Sequence, residues 1–196
     1  MGRKLLEISY LGTNYCGWQV QPNGTTVQEI LQNALEAVLK HRPDVTGCSR
    51  TDSGVHAKSF YCHFDTNVNI PNKGLVLGLN TKLPNDIAAL NCYDVDDDFH
   101  ARYDSDGKTY RYSFYCNEIK NPFFEGRTLW LKNTVDLSKA NEYCNLLKGE
   151  HNFEAFSSIN RTVENTVRTV YDCYTIKTKS GFDFYVFIGN PCNNRV

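Results

Sequence analysis

The chain has 196 residues, 41% of them hydrophobic, with 21 Lys and Arg against 22 Asp and Glu. That composition fits a folded chain of one large or two small domains and excludes a disordered one. Global charge is near neutral, so any footprint for a polyanion must be local. No apolar run approaches the length of a membrane span. The opening "MGRKLLEISY" lacks the long apolar region of a signal peptide, and Leu6 stands where myristoylation needs Ser or Thr. Eight cysteines are scattered without a C-x-x-C pair. A zinc ribbon or a thioredoxin-type site is therefore not expected, and free thiols in a reducing, cytoplasmic protein are.

In chain order, Arg3 to Tyr10 reads as a strand, followed by a loop rich in Gly, Asn and aromatics, "LGTNYCGWQVQPNG". "TTVQEILQNALEAVLKH" is the clearest helix. Thr26 and Glu29 form a capping box, and Val27, Ile30, Leu31, Ala34, Leu35, Val38 and Leu39 share one face. Pro43 marks its end. "DVTGCS" is a short strand. "KSFYCHFD" alternates, with Phe60, Cys62 and Phe64 on one face and Tyr61 and His63 on the other. "NKGLVLGLNTKL" reads as a helix and "DIAALNCYDV" as a strand. The order is β-α-β-β-α-β, the split arrangement of ferredoxin-like domains.

A second round follows the acidic "DVDDD". "KTYRYSFYCN" is a strand with Tyr110, Tyr112, Phe114 and Cys116 on one side and Arg111, Ser113 and Tyr115 on the other. "RTLWLK" is strand-like. "DLSKANEYCNLLKG" is a helix with Asp136 as N-cap and Gly149 past its end. "TVRTVYDCYTIKTK" and "GFDFYVFIGN" are strands joined through Ser180-Gly181. The expected fold class is α+β. Two ferredoxin-like halves, 1–104 and 105–196, carry antiparallel sheets around a central cleft, and the second half is incomplete.

The chemistry concentrates in "CSRTDSGVHA", Cys48 to Ala57. Asp, Ser and Gly are turn residues for local reasons, so the stretch reads first as a turn. Arg50 adds a second meaning. A carboxylate beside a guanidinium has its charged form favoured, which suits a nucleophile or an electrostatic partner and not a general acid. Tyr110, in "KTYRY", is either sheet packing or a platform for an unpaired base, with Arg111 near for phosphate. The loop "YLGTNYCGWQ" is either a packed loop around a buried Trp or a wall against a flat ligand. His100, in "FHAR", is by itself a structural histidine, and no second ligand stands at metal spacing. His56 has the same reading. No glycine-rich dinucleotide or phosphate loop and no nucleophile elbow is present.

Together "YLGTNYCGWQ", "RTDSGVHA", "DDFHARY", "KTYRY", "GEHNFEAFSS" and "FIGN" resemble, in order and spacing, the TruA-type tRNA pseudouridine synthases, from about Lys4 to Asn190. The resemblance implies two ferredoxin-like halves, a homodimer and isomerisation of uridine in the anticodon stem-loop of tRNA. No cofactor and no metal are implied, because the reaction is neither a redox step nor a hydrolysis. The family's essential aspartate maps to Asp52, its arginine to Arg50 and its active-site tyrosine to Tyr110. His100 and Arg102 are further candidates for substrate contact, with Lys108 and Arg111 as candidate phosphate contacts. The match breaks after Asn190. The family continues there with an arginine on a helix, whereas Pro191 to Val196 follows here, and Arg195 does not inherit that arginine's role. A C-terminally truncated or frameshifted chain is expected on this ground. A non-catalytic tRNA-binding remnant is the alternative function.

Overall fold

The computed structural model describes residues 2–156 and 165–190. The chain divides into two compact units, Met1–Ser105 and Asp106–Val196. Each is an α+β unit built around its own sheet.

In the first unit β1 (Gly2–Tyr10), α1 (Val27–Leu39), β2 (Thr46–Gly47), β3 (Ala57–Thr66), α2 (Asn72–Asn80) and β4 (Ile87–Val95) follow one another. The sheet order is β2-β3-β1-β4 and every pairing is antiparallel. This is the expected split arrangement. Alternation in β1 turns Leu6, Ile8 and Tyr10 inward, where they meet Phe60, Cys62 and Phe64 of β3. Leu31 and Leu35 of α1 and Leu75 and Leu79 of α2 close the core from the helical side, all four without exposed surface. Each such leucine is worth roughly 1.5–3 kcal/mol of burial. The Thr26 hydroxyl accepts from the Glu29 amide at 3.4 Å and starts α1. Lys40, left-handed at φ 65°, ends it before Pro43.

His63 departs from its alternating pattern. It lies opposite the core face and is nevertheless buried. The "FHAR" turn folds over it. The Ala101 amide donates to His63 Nδ1 at 3.1 Å, and the His100 ring sits 4.9 Å away. Arg3 fastens that turn from β1, donating to the Phe99 carbonyl and bidentately to Asp65.

In the second unit β5 (Gly107–Cys116), β6 (Leu129–Leu131), α3 (Leu137–Leu147), β7 (Gly149–Asn152), β8 (Val167–Lys177) and β9 (Gly181–Gly189) form a sheet of order β6-β5-β9-β8-β7. Only β5–β6 is parallel among its described pairs. Asp136 caps α3, accepting from the Ser138 and Lys139 amides. Cys144 of α3 packs on Val170 and Cys173, against Phe184, Val186 and Ile188. β7 has no counterpart in the sequence reading; at four residues it is too short to show periodicity. The hairpin turn spans Thr178 to Gly181, where the Thr178 amide donates to the Gly181 carbonyl. Gly181 serves close approach here: an added Cβ would stand 2.2 Å from the Phe114 carbonyl oxygen. β6 pairs with β5 at Phe114–Cys116.

The seven cysteines among the described residues are free thiols, and no described helix is long and apolar enough to cross a membrane. Pro191 to Val196, with Arg195, and 157–164, which includes the end of "GEHNFEAFSS", lie outside the described residues.

Candidate active site

The stretch Cys48 to Ala57 links β2 to β3 and is indeed a turn. The Val55 amide donates to the Asp52 carbonyl at 3.2 Å, and Gly54 supplies the left-handed residue at φ +80°. Asp52, Ser53, Gly54 and Val55 are exposed. A register shift in the β1–β3 pairing between Ile8 and Tyr10 falls where this turn enters β3. Such irregularities re-aim the segments beside them.

The turn is held from one side by the loop that follows β1. The Tyr10 and Thr51 hydroxyls meet at 3.0 Å, and the Trp18 amide donates to the Thr51 carbonyl at 3.0 Å. The Tyr15 carbonyl receives both the Gly54 amide, at 3.3 Å, and the Ser53 hydroxyl, at 3.2 Å. The Gly12 amide donates to His56 Nδ1 at 2.9 Å, which fixes that nitrogen as an acceptor. Two glycines make the approach feasible. A Cβ on Gly12 would stand 2.0 Å from the Val55 carbonyl oxygen, and one on Gly17 would stand 2.4 Å from that of Thr51.

The aromatics of this loop are packing elements. Trp18 is 1% exposed and lies 4.3 Å from the Phe60 ring, and Tyr10 and Tyr15 are also buried. They form no wall against a flat ligand; the packed-loop reading holds. Burial drives the Tyr10 phenol up to about 12, against the hydrogen bond from Thr51, so it remains an O–H group. The Tyr15 phenol donates to Asp86 Oδ1 at 2.6 Å, and burial together with that carboxylate raises its pKa strongly. At Asp86 burial opposes ionisation. The hydrogen bonds from Tyr15 and Asn14 outweigh it and lower the carboxyl's pKa.

Arg50 and Asp52 flank the anchored Thr51, and both are exposed. Among the described residues no ion pair joins them. Thr51 is fixed by its hydroxyl and its carbonyl, so the backbone presents Asp52.

His100 is engaged within its own turn. Its amide donates to Asp104, its Nδ1 accepts from the Arg102 amide, and its ring lies 4.3 Å from Tyr103. Arg102 is exposed, with its guanidinium 5.9 Å from the Tyr103 ring. Tyr110 belongs to the second unit. It lies opposite Val186 in the β5–β9 register, beside Tyr112, and is 44% exposed. Arg111, on the other face of β5, stands 3.8 Å from Asp183.

A family profile described as tRNA pseudouridine synthase matches residues 8–104, the part of the chain that carries both loops. A tRNA pseudouridine synthase A of Staphylococcus aureus strain Newman is 43% identical over 184 residues, which cover 94% of this chain and 69% of the relative. The proteins of the same name from strains JH1 and N315 match equally. The chain belongs to the tRNA pseudouridine synthase A family.

For a member of this pseudouridine synthase family, the residue beneath the Asp52 turn that sequence reasoning passed over is Asp86, while Tyr10 and Tyr15 lay in the singled-out "YLGTNYCGWQ" loop without being assigned as braces of that turn. Tyr10, Tyr15 and Asp86 are each ordinary in sequence: a strand end, a loop aromatic and the Asp of "LPNDI". A local signal for the bracing was the spacing of Gly12 and Gly17 around Tyr15, which marks a loop that must approach another backbone.

Proposed function

We propose that this chain isomerises uridine to pseudouridine in the anticodon stem-loop of tRNA, with Asp52 as the nucleophile. The observation that carries the reading is the exposed Asp52 at the tip of an R-T-D turn braced at Thr51, Ser53, Gly54 and His56, in a chain 43% identical to named tRNA pseudouridine synthases.

The reaction breaks the glycosidic C–N bond, turns the detached uracil and joins its C5 to the sugar carbon. The C5 proton leaves and a ring nitrogen gains one, so atoms balance with no oxidant and no water consumed. A carboxylate supplies what this needs: as nucleophile it forms and releases a covalent bond to the sugar or the base, and the other route open to it is to start the reaction by taking a sugar proton. The target uridine must leave its stack, at a cost of a few kcal/mol. Tyr110 is assigned to stack on the extruded base, Arg50 to offset the charge beside Asp52, and His100 and Arg102 to substrate contact. The chain works as a homodimer, as the resemblance implies, in the reducing cytoplasm that its free thiols point to, and uses no cofactor.

The test is incubation of the purified chain with unmodified tRNA transcript and mapping of pseudouridine in the anticodon arm, with Asp52→Ala as control. Product that disappears in the variant is expected. Product that persists in it overturns the role of Asp52. The second reading, a tRNA-binding chain without turnover, draws on the absence of an Arg50–Asp52 ion pair among the described residues; salt-sensitive tRNA binding without product would establish it.

A further inference from the structure

We infer that Tyr15, tethered by Asp86, is a positioning residue for the Asp52 carboxylate. The inference rests on the reading that Asp52 is the reacting group. One carbonyl, that of Tyr15, holds the two residues that follow Asp52: the Ser53 hydroxyl at 3.2 Å and the Gly54 amide at 3.3 Å. The backbone on the far side of Asp52 therefore has its tip fixed by a single residue of the facing loop.

That residue is in turn fixed from below. Its phenol donates to Asp86 Oδ1 at 2.6 Å, while the Asn14 side-chain amide donates to Oδ2 at 3.1 Å. The Asp86 carbonyl accepts the Leu11 amide at 2.8 Å, so both ends of Asp86 grip the Leu11–Tyr15 segment. Tyr15 itself is 6% exposed. A charge-assisted bond to a buried phenol is among the stronger neutral-to-ion contacts a protein makes. The path runs Asp86, Tyr15, Ser53 and Gly54, then Asp52. Neither Asp86 nor Tyr15 is placed against substrate. They act through the turn, by restricting where the carboxylate can point.

The test compares Tyr15→Phe, Asp86→Ala, Asp86→Asn and the double variant Tyr15→Phe/Asp86→Ala in the full chain, with folding checked by circular dichroism. Both single losses of the contact should lower kcat about tenfold while KM for tRNA stays within about twofold, because misplacement of a reacting group lowers kcat. Asp86→Asn keeps an acceptor oxygen and should recover most of the loss. The double variant should be no worse than the poorer single, since both remove one contact. Amide exchange at Gly54 should quicken about tenfold in Tyr15→Phe and Asp86→Ala and little in Asp86→Asn. Unchanged exchange, unchanged kcat, a loss confined to KM, or additive losses in the double variant would each overturn the inference. Turnover that survives Asp52→Ala would instead sink the functional reading. Should the parent form no pseudouridine, that reading falls too, and the exchange data alone decide whether Tyr15 orders the turn.

Discussion

Gly17 and Thr51 stand so close that a single methyl group cannot pass between them: a Cβ on Gly17 would be 2.4 Å from the Thr51 carbonyl oxygen. Gly17 also sits at φ +83°. Gly17 thus combines a close approach between the two loops with a left-handed backbone. Gly54 has nearly the same conformation, at φ +80°, but nothing within 4 Å of where its Cβ would be. The pair separates strain from collision. Gly54→Ala should cost about 1–2 kcal/mol of stability from the left-handed backbone alone. Gly17→Ala should cost more and lower pseudouridine formation further. Urea midpoints and product yield for the two variants check the order; equal costs would mean that the close approach carries no energy.

Removing the Tyr10 hydroxyl takes away one of the bonds that fix Thr51. Tyr10→Phe keeps the edge-on contact with Phe60, whose ring centroid is 5.8 Å away. The expected cost is about 1 kcal/mol, because the Thr51 hydroxyl loses its partner. Thr51→Val should cost a similar amount. The double variant should cost less than the sum, since it leaves no hydroxyl behind. Denaturant midpoints of the four proteins form the cycle that checks this.

His63 provides a pH dependence of stability. Burial, with help from His100 and Arg3, depresses it to about 4, against its ordinary 6.5. Its Nδ1 must remain unprotonated to accept the Ala101 amide. In the unfolded chain the ring takes up a proton at higher pH than in the folded one. Stability should therefore be fully present above about 6.5 and fall as the pH drops toward about 4, by at most about 3 kcal/mol from this group. Urea unfolding at several pH values would show the slope. His63→Asn, which keeps an acceptor but does not titrate, should flatten it.

Thr26 lies at the join between the long loop and α1 and has no exposed surface. Its hydroxyl caps the helix, while the neighbouring Thr25 carbonyl accepts the Cys16 amide. Thr26→Ala should destabilise the chain by about 1–2 kcal/mol, and Thr26→Ser by much less, since the serine hydroxyl can cap as well. Thermal melts of the two variants would distinguish capping from methyl packing; equal losses would favour packing.

Much of this molecule was legible residue by residue. The helical spacing of Val27, Leu31, Leu35 and Leu39 and the alternation of Phe60, Cys62 and Phe64 gave their faces correctly. The capping roles of Thr26 and Asp136 also followed from local pattern, because a cap and the amides it satisfies lie within three residues of one another. The R-T-D stretch was recognisable as a turn for the same reason. His63 shows where pattern stops. Alternation gave its side of the sheet, but whether that side is wet depended on a turn 38 residues further on.

The sequence by itself determined the two rounds of strand and helix, the turn that carries Asp52 and the family to which the chain is similar, since periodicity, turn chemistry and motif order are local properties. Only the tertiary structure decided what holds Asp52. Arg50, two residues away, makes no ion pair with it among the described residues. The bond that tethers Tyr15 instead joins residues 71 apart in the chain, Tyr15 and Asp86. Sequence proximity does not bring two side chains together on an exposed turn, where water competes for both charges. Packing of distant segments does, because a buried phenol and a partly buried carboxylate must satisfy each other or lose a hydrogen bond.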